Sequence, residues 1–276
     1  MAKTRLSKVR VGIIGCGAIG SNLAIELEKQ FSDKVKVAYL CDHHQERLSA
    51  MRKVLPKDVR HVSMAELVKK SEFIIEAASP ETVQTLLALP DIQKKSLLVM
   101  SVGGLVRQPK KLASFFKKFK GQLHIPSGAI AGIDGLLASR EAGIKSVILK
   151  TRKPPKGLDQ APLFKKKPFP VLKARQEVCL FKGSAAQAIR YFPQNVNVAA
   201  ILSLAGLGIK KTRVEVWTSK AYLGNCHEIF IERGAGSIKI EVKNRPYPQN
   251  PKTSALAMYA ALATLRQVFS PIQLGQ

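Results

Sequence analysis

Three glycines at the spacing GxGxxG, Gly15, Gly17 and Gly20, form the pattern in this chain that points most directly to chemistry. In a dinucleotide site the first glycine makes the tight strand-to-helix turn, the second lets the backbone approach a pyrophosphate, and the third allows close helix–strand packing. The N–H groups of Ala18 and Ile19 would then begin a helix whose dipole favours phosphate. The spacing therefore predicts a dinucleotide-binding turn.

A carboxylate stands where such a site needs one. Asp42 follows an apolar run over residues 35–40 and lies 22 residues beyond Gly20, about where an acid meets the adenosine ribose. An acid there repels a 2′-phosphate, so we expect NAD to bind at least as well as NADP. Arg47 and the basic surroundings oppose this preference.

The cysteines give no sign of a metal site. Cys16, Cys41, Cys179 and Cys226 lack the spacing of metal ligands. The first two lie in the predicted nucleotide fold, which favours a reduced, intracellular protein over a disulfide-bonded secreted one. We therefore predict no metal.

The charge is unusual, because 45 Lys and Arg residues face 19 acids and give a formal net charge of +26. Residues 107–120 and 145–175 contribute heavily. Such a surplus attracts dinucleotides, dicarboxylates and nucleic acid, but no RNP, zinc-finger or helix-turn-helix signature accompanies it. We interpret the charge as a solvated face that steers small anions, with nucleic acid as the lesser alternative. The longest apolar stretch, residues 199–209, is too short to span a bilayer, so no membrane partner is expected.

The elements that must position these residues alternate in the first half of the chain. Helical patterns separate the predicted strands, and this alternation is typical of a doubly wound parallel sheet, in which ligands bind at the carboxyl ends of the strands. The form Ser63-x-x-Glu66 and the pair Ser79-Pro80 predict two helix starts. The strands are predicted over residues 9–14, 35–40, 59–62, 72–78, 96–101 and 122–125.

From about residue 137 short alternating strands predominate, which predicts a second, mixed α+β domain. Residues 151–170 contain five prolines and predict a long surface loop. Asn250 and Pro251 predict the start of a last helix, expected to pack back on the nucleotide domain. The predicted strands are residues 145–150, 177–182, 213–218, 226–232 and 237–243, and the helices are 185–192 and 197–207.

Several motifs together make the sequence resemble the L-aspartate dehydrogenase family. They are HIPSGAIAGIDGL, TRKPP, FPQNVNVAA, GNCHEI and NPKTSALA, and with GCGAIG they extend from residue 15 to residue 257. The resemblance implies oxidation of L-aspartate to iminoaspartate with NAD or NADP. The imine would feed NAD synthesis or hydrolyse to oxaloacetate and ammonia.

The resemblance also implies an architecture and a setting. We expect a Rossmann dinucleotide-binding domain over residues 1–132, an α+β substrate and dimerisation domain over residues 133–249, and a C-terminal helical segment over residues 250–276. A homodimer is implied, and the cytoplasm is the expected location.

Three site residues come from the resemblance. The family's catalytic histidine falls on His227, its cofactor-contacting alanine on Ala131, and its cofactor-contacting asparagine on Asn197. From the residues alone, strand alternation places His227 with Ile229 and Ile231, so a core histidine and a catalytic one both stay open. Capping of a helix is the alternative for Asn197.

Other interpretations stay open beside this one. Lys252, Thr253 and Ser254, at the predicted start of the last helix, are further candidates for holding a substrate carboxylate. A cysteine acylation route is less attractive, because Cys226 and His227 are adjacent in a strand and point to opposite faces. One alternative function is a related two-domain reductase of a semialdehyde or cyclic imine. The other is a non-catalytic basic protein that binds a dinucleotide or nucleic acid.

Overall fold

The chain divides into two compact units. The computed structural model describes residues 8–156, 158–165, 168–193, 196–234, 236–247 and 250–274. The first unit comprises the described residues up to Pro126 together with Ala261–Leu274, and the second extends from Ser127 to Ala260. None of the described helices combines the length and the apolar character needed to cross a bilayer.

The first unit is built on a six-stranded parallel sheet with the order β3-β2-β1-β4-β5-β6. The strand order reverses between β1 and β4, which is where open α/β sheets bind their ligands. The predicted Rossmann fold is therefore confirmed. Its strands are β1 (Val9–Ile14), β2 (Val35–Cys41), β3 (Arg60–His61), β4 (Phe73–Glu76), β5 (Ser96–Val99) and β6 (Leu123–His124). Its helices are α1 (Ala18–Gln30), α2 (Gln45–Arg52), α3 (Met64–Lys70), α4 (Pro80–Leu87), α5 (Gly103–Val106) and α6 (Pro109–Lys118).

Two of these helices begin where the sequence predicts. The Ser63 hydroxyl accepts from the backbone N–H of Glu66 at 3.2 Å, and α3 begins at the next residue after this serine. The Ser79 hydroxyl likewise accepts from the N–H of Thr82 at 3.2 Å, with Pro80 in the first turn of α4. In both helices the cap satisfies a donor that has no partner within the helix.

The second unit contains a mixed five-stranded sheet with the order β11-β10-β7-β9-β8. Strands β7 and β9 are parallel, and the other neighbouring pairs are antiparallel. This confirms the predicted α+β character. The strands are β7 (Ile144–Lys153), β8 (Val178–Ser184), β9 (Arg213–Thr218), β10 (Asn225–Arg233), β11 (Gly236–Asn244) and the separate pair β12 (Pro246–Tyr247) and β13 (Asn250–Ser254). The helices are α7 (Ile133–Glu141), α8 (Ala185–Tyr191), α9 (Val196–Ala205) and α10 (Gly208–Lys211). A further helix, α11 (Ala255–Val268), begins in this unit and ends in the first.

The structure corrects the predicted boundary at residue 150. Strand β7 continues through Thr151 to Lys153, so these residues belong to the sheet and not to a surface loop. Val147, Leu149 and Thr151 alternate as buried residues, and the β-branched threonine continues the pleat. The segment that follows also buries Leu158, so the prolines do not make it wholly exposed.

The predicted start of the last helix is also wrong. Asn250–Ser254 forms the strand β13, and α11 begins at Ala255. The Ser254 hydroxyl accepts from the backbone N–H of Leu256 at 3.2 Å, so the helix begins with a serine cap and not with the predicted asparagine cap.

The end of α11 completes the core of the first unit. Ala261 and Leu265 are fully buried among the apolar residues of β1, β2 and α1. Phe269, just beyond the helix, packs against Phe31 and Phe73 with ring centroids 6.1 Å and 5.3 Å apart. The segment Ala261–Leu274 is therefore part of the nucleotide-type unit.

Candidate functional site

The turn between β1 and α1 accepts only glycine at two positions. Gly15 has a φ of +94°, which is unfavourable for L side chains, and its N–H donates to the Cys41 carbonyl at 2.8 Å. A Cβ on Gly20 would lie 1.8 Å from the carbonyl oxygen of Gly15. The strand, the turn and the first helix therefore pack directly backbone against backbone.

The N-terminus of α1 is open at the second glycine of the motif. Gly17 is the N-cap residue, and no side chain caps the helix there. The atom nearest to a Cβ built on Gly17 is the Arg47 Nη1, at 3.9 Å. The N–H groups of Ala18 and Ile19 have no acceptor within a helix that begins here. This cradle, which side chains leave empty, fits the pyrophosphate of a dinucleotide.

Asp42 fixes the glycine turn through a hydrogen bond to the backbone of that turn. Its carboxylate accepts from the backbone N–H of Cys16 at 2.6 Å and from that of His44 at 2.8 Å, and Arg47 Nη1 lies 3.6 Å from Oδ2. Burial opposes ionisation, but the N–H groups of His44 and Cys16, with the Arg47 guanidinium, outweigh it and lower the pKa of Asp42. The acid thus stays charged beside the turn that the sequence paired with it.

A second carboxylate at this edge was not anticipated from the sequence. Glu76, the last residue of β4, is fully buried. Its Oε1 accepts from the N–H of Ala78 at 2.8 Å and its Oε2 from that of Ser101 at 3.0 Å. Burial raises the pKa of Glu76 in spite of these bonds. The side chain joins the loops that follow β4 and β5, and a glutamate ending an apolar strand was the signal available.

In the second unit, His227 lies on the core side of the second sheet. It stands opposite Thr151 in the pairing of β10 with β7, and it is 4% exposed. Its Nδ1 lies 3.1 Å from the Thr151 hydroxyl oxygen. Burial, together with the positive charge of Lys153, lowers the pKa of His227 to about 3. The ring is therefore neutral near pH 7, with Nδ1 already engaged.

Lys153 ends the strand that carries Thr151. The two residues are two positions apart, so they point to the same face of the sheet as His227. Burial lowers the pKa of Lys153 to about 8. The alternation of Val147, Leu149 and Thr151 continues to Lys153, so this pattern could have predicted from the sequence that the lysine shares their face of the strand.

A buried hydrogen-bond network fixes the segment that contains Ala131. The Asn244 side-chain amide donates to the Ala129 carbonyl at 2.9 Å, and the Ser254 hydroxyl donates to the Asn244 Oδ1 at 2.6 Å. Ala131 itself is exposed, just ahead of Gly132 at the start of α7. Ser254 is therefore hydrogen-bonded to Asn244 within the protein, and Ala131 lies on the surface of the second unit. The side chains of Lys252 and Thr253 lie outside the described residues.

Asn197 lies in the first turn of α9 and is exposed. Ile201, one turn later on the same side of the helix, has its Cδ1 3.3 Å from where a Cβ on Gly128 would be. This side of α9 therefore packs beside the segment of Gly128, Ala129 and Ala131. The two cofactor-contact candidates of the second unit, Ala131 and Asn197, belong to neighbouring elements.

The opposite face of the second sheet holds a group of possible metal ligands. The ligand atoms of Cys226, Glu228 and Glu241 lie within 4.8 Å of one another. Arg152 pairs with Glu228, and Lys243 pairs with Glu241 at 2.7 Å. Because both carboxylates are engaged by cations, we assign no metal to this group.

Comparison with known proteins covers both units. Residues 134–268 match the family described as "Aspartate dehydrogenase, C-terminal". Residues 15–126 match "Homoserine dehydrogenase, NAD binding domain". The two matches meet near the boundary between the units.

Full-length relatives share one name. The L-aspartate dehydrogenase of Methanosarcina mazei is 38% identical over 272 residues, covering 97% of this chain and 99% of that one. The L-aspartate dehydrogenase of Methanocaldococcus jannaschii is 32% identical, covering 97% and 99%. The crystal structure of aspartate dehydrogenase from Thermotoga maritima is 26% identical, with a TM-score of 0.74, and covers 97% of this chain and 100% of that one. The chain therefore belongs to the aspartate dehydrogenase family.

Proposed function

We propose that this protein is an L-aspartate dehydrogenase that oxidises L-aspartate to iminoaspartate with NAD or NADP. The observation that carries the proposal is the full-length similarity to L-aspartate dehydrogenases, in a chain whose glycine turn is an open phosphate cradle. The buried, neutral His227 supplies the proton acceptor that amine oxidation requires.

The first unit binds the dinucleotide in this proposal. Gly15, Gly17 and Gly20 shape the turn, Ala18 and Ile19 present N–H groups to the pyrophosphate, and Asp42 faces the adenosine ribose. When bound, the dinucleotide supplies the hydride acceptor. The family resemblance assigns Ala131 and Asn197 to contacts with the nicotinamide portion.

In this proposal, His227 accepts the proton that the substrate amine loses. Oxidation of an amino acid to an imine requires the substrate ammonium to lose a proton before hydride leaves the α-carbon. In the tautomer that carries its proton on Nδ1 and donates it to the Thr151 hydroxyl, the ring of His227 offers the Nε2 lone pair to the ammonium proton. A bound dicarboxylate brings negative charge beside the ring and raises the pKa of His227 toward the working range. The same group can then activate the water that hydrates the imine.

An amino-acid panel tests this function. NADH and NADPH formation is measured with each amino acid, and the reverse direction is measured with oxaloacetate and ammonia. L-aspartate should be the preferred substrate in one direction and oxaloacetate with ammonia in the other. Preference for a semialdehyde or a cyclic imine would favour the related reductase. Dinucleotide binding without turnover of any substrate would favour the non-catalytic alternative.

We also propose a homodimer located in the cytoplasm. The four cysteines are unpaired in the structure, which favours a reducing compartment. The family resemblance supports the dimer. Light scattering after size-exclusion chromatography tests the assembly, and a mass of one chain at micromolar concentration would contradict it. Fractionation of the source cells tests the location.

A further inference from the structure

Polar residues lie together at one end of the strands of the second sheet, on the face that packs on the core. Lys153 pairs with Thr218 at the carboxyl ends of the parallel strands β7 and β9. Asn225 and Asn244 pair at the matching ends of the antiparallel strands β10 and β11. His227 lies one pleat inward from Asn225 on the same face. The polar groups of four strands therefore converge at this end of the sheet.

Lys153 and His227 are diagonal neighbours in this arrangement. His227 stands directly opposite Thr151, and a diagonal pair on one face is separated by about 7–8 Å at Cα, within reach of a long side chain. The positive charge of Lys153 acts on the imidazole strongly enough to help lower its pKa. The ammonium therefore stands beside the ring that is to receive the substrate's proton.

Among the described residues of the neighbouring strands and helices, the other charged side chains near Lys153 lie on the opposite face of the sheet or are exposed. Arg152, Cys226 and Glu228 alternate to the opposite face of the sheet. β9 and β11 present the uncharged Thr218 and Asn244. Helix α9 contains no titratable residue, and the charged residues of α7, which are Asp134, Arg140 and Glu141, are exposed. His227 is thus the titratable group that faces Lys153 from these elements.

We propose that the Lys153 ammonium binds a carboxylate of the dicarboxylate substrate and so holds the amine-bearing carbon against His227. This inference rests on the proposed function, because it identifies the group that recognises the substrate of that reaction. A charge-assisted hydrogen bond to a half-buried ammonium gives a carboxylate both affinity and a fixed position. The neutral imidazole beside it adds no competing charge.

The proposal has a consequence for pH. Only the protonated amine binds a carboxylate, and burial places the pKa of Lys153 at about 8. Affinity for a dicarboxylate should therefore fall above that pH, approaching tenfold per pH unit. An arginine at the same position stays charged over this range, so it should remove the alkaline loss.

The test uses succinate, which has the two carboxylates of aspartate and no amine. Succinate is titrated calorimetrically into the NAD-saturated protein from about pH 7 to about pH 9.5. The variants are K153M, which loses the charge, and K153R, which keeps it. K150M is the matched control, because Lys150 is on the same strand but lies over the Trp217 ring on the other face, 4.4 Å from its centroid.

We expect K153M to weaken succinate binding by about 10–100-fold, the loss of one charge-assisted hydrogen bond. NADH affinity should stay within about twofold of wild type, and K150M should bind succinate normally. K153R should retain binding and lose the alkaline decline. Normal succinate affinity in folded K153M would overturn the proposal. If K153M does not fold, an alkaline decline in K153R equal to that of wild type overturns it instead.

The same experiment separates this proposal from the proposed function. If succinate binding depends on Lys153 but the protein does not oxidise L-aspartate, the carboxylate site is supported and the dehydrogenase activity is rejected. Aspartate oxidation with a normal KM in K153M would do the reverse.

Discussion

The carboxylate of Asp42 accepts a 2.6 Å hydrogen bond from the backbone N–H of Cys16, so the acid that follows β2 is bonded to the glycine turn after β1. An acid in this position does two things at once. It can face a ribose, and it fixes the shape of the phosphate cradle. Substituting it should therefore affect both cofactors.

We predict that D42A weakens NADH binding by about tenfold or more, because two backbone donors lose their acceptor. NADPH binding should fall less, because the acid that repels a 2′-phosphate is also removed. Fluorescence titration with both dinucleotides measures the effect. D58A is the control, since Asp58 pairs with Lys36 on the surface. A clear preference for NADPH in wild type, unchanged in D42A, would remove Asp42 from cofactor selection.

Gly17 and Gly20 should respond differently to the same substitution. A methyl group on Gly17 has space in the protein but would stand between the N–H groups and a pyrophosphate. G17A should fold with a normal melting temperature and bind NADH about tenfold or more weakly. In G20A the new Cβ would meet the Gly15 carbonyl, so the melting temperature itself should fall. Unimpaired NADH binding by G17A would show that the phosphates bind elsewhere.

Substitution of His227 should remove turnover and leave cofactor binding. H227N keeps polarity and approximate size but cannot exchange protons, and its kcat/KM for L-aspartate should fall by about 10²–10⁴-fold. NADH binding should persist, because the phosphate cradle is formed by the first unit. T151V is the companion variant: it leaves the ring without its Nδ1 partner and should cause a smaller loss. A folded, NADH-binding H227N with more than about a third of wild-type turnover would reject the catalytic role.

The buried imidazole also predicts a dependence of stability on pH. The pKa of His227 is lowered from 6.5 to about 3, so the unfolded chain binds a proton that the folded protein excludes between these values. The free energy of unfolding should therefore fall as the pH decreases from about 6.5 toward 3, by up to about 1.4 kcal/mol per pH unit from this group. Urea denaturation at several pH values measures it.

H227N serves as the reference for that experiment, because it lacks the titrating group. The difference in unfolding free energy between wild type and H227N should change across the acidic range and stay constant above neutrality. A constant difference throughout would mean that His227 has the same pKa in the folded and the unfolded protein.

The surplus of positive charge should raise the rate at which the protein associates with its anionic substrate and cofactor. With a net charge of +26, kcat/KM for the anionic substrate and cofactor should decline as salt rises, whereas kcat should change little. DNA should bind weakly and without sequence preference. Tight binding to one nucleic-acid sequence at physiological salt would instead support the non-enzymatic alternative.

The first unit was predictable because local signals and burial agree there. Continuous apolar runs marked the parallel strands, and serine caps at Ser63 and Ser79 marked helix starts. Glu76 shows the limit: a buried acid has meaning only once the loops after β4 and β5 surround it.

The second unit was harder because its site depends on distant partners. The polar run Thr151, Arg152, Lys153 before two prolines resembled a loop, yet pairing with β9 and β10 extends the strand. The cap expected at Asn250 is Ser254, whose role depends on Asn244 ten residues earlier. His227 was found through family motifs, since alternation alone could not separate a core histidine from a catalytic one.

The position of Ala261 and Leu265 in the core of the first unit has a consequence for synthesis on the ribosome. All six strands of the parallel sheet precede Pro126, but these two buried residues, and Phe269 against Phe31 and Phe73, follow the whole second unit in the sequence. During synthesis of the second unit, the nascent first unit therefore leaves the apolar surface that these residues cover exposed to solvent. Its folding is completed only after residues 261–269 have been synthesised, and the uncovered surface is the one that chaperones would meet.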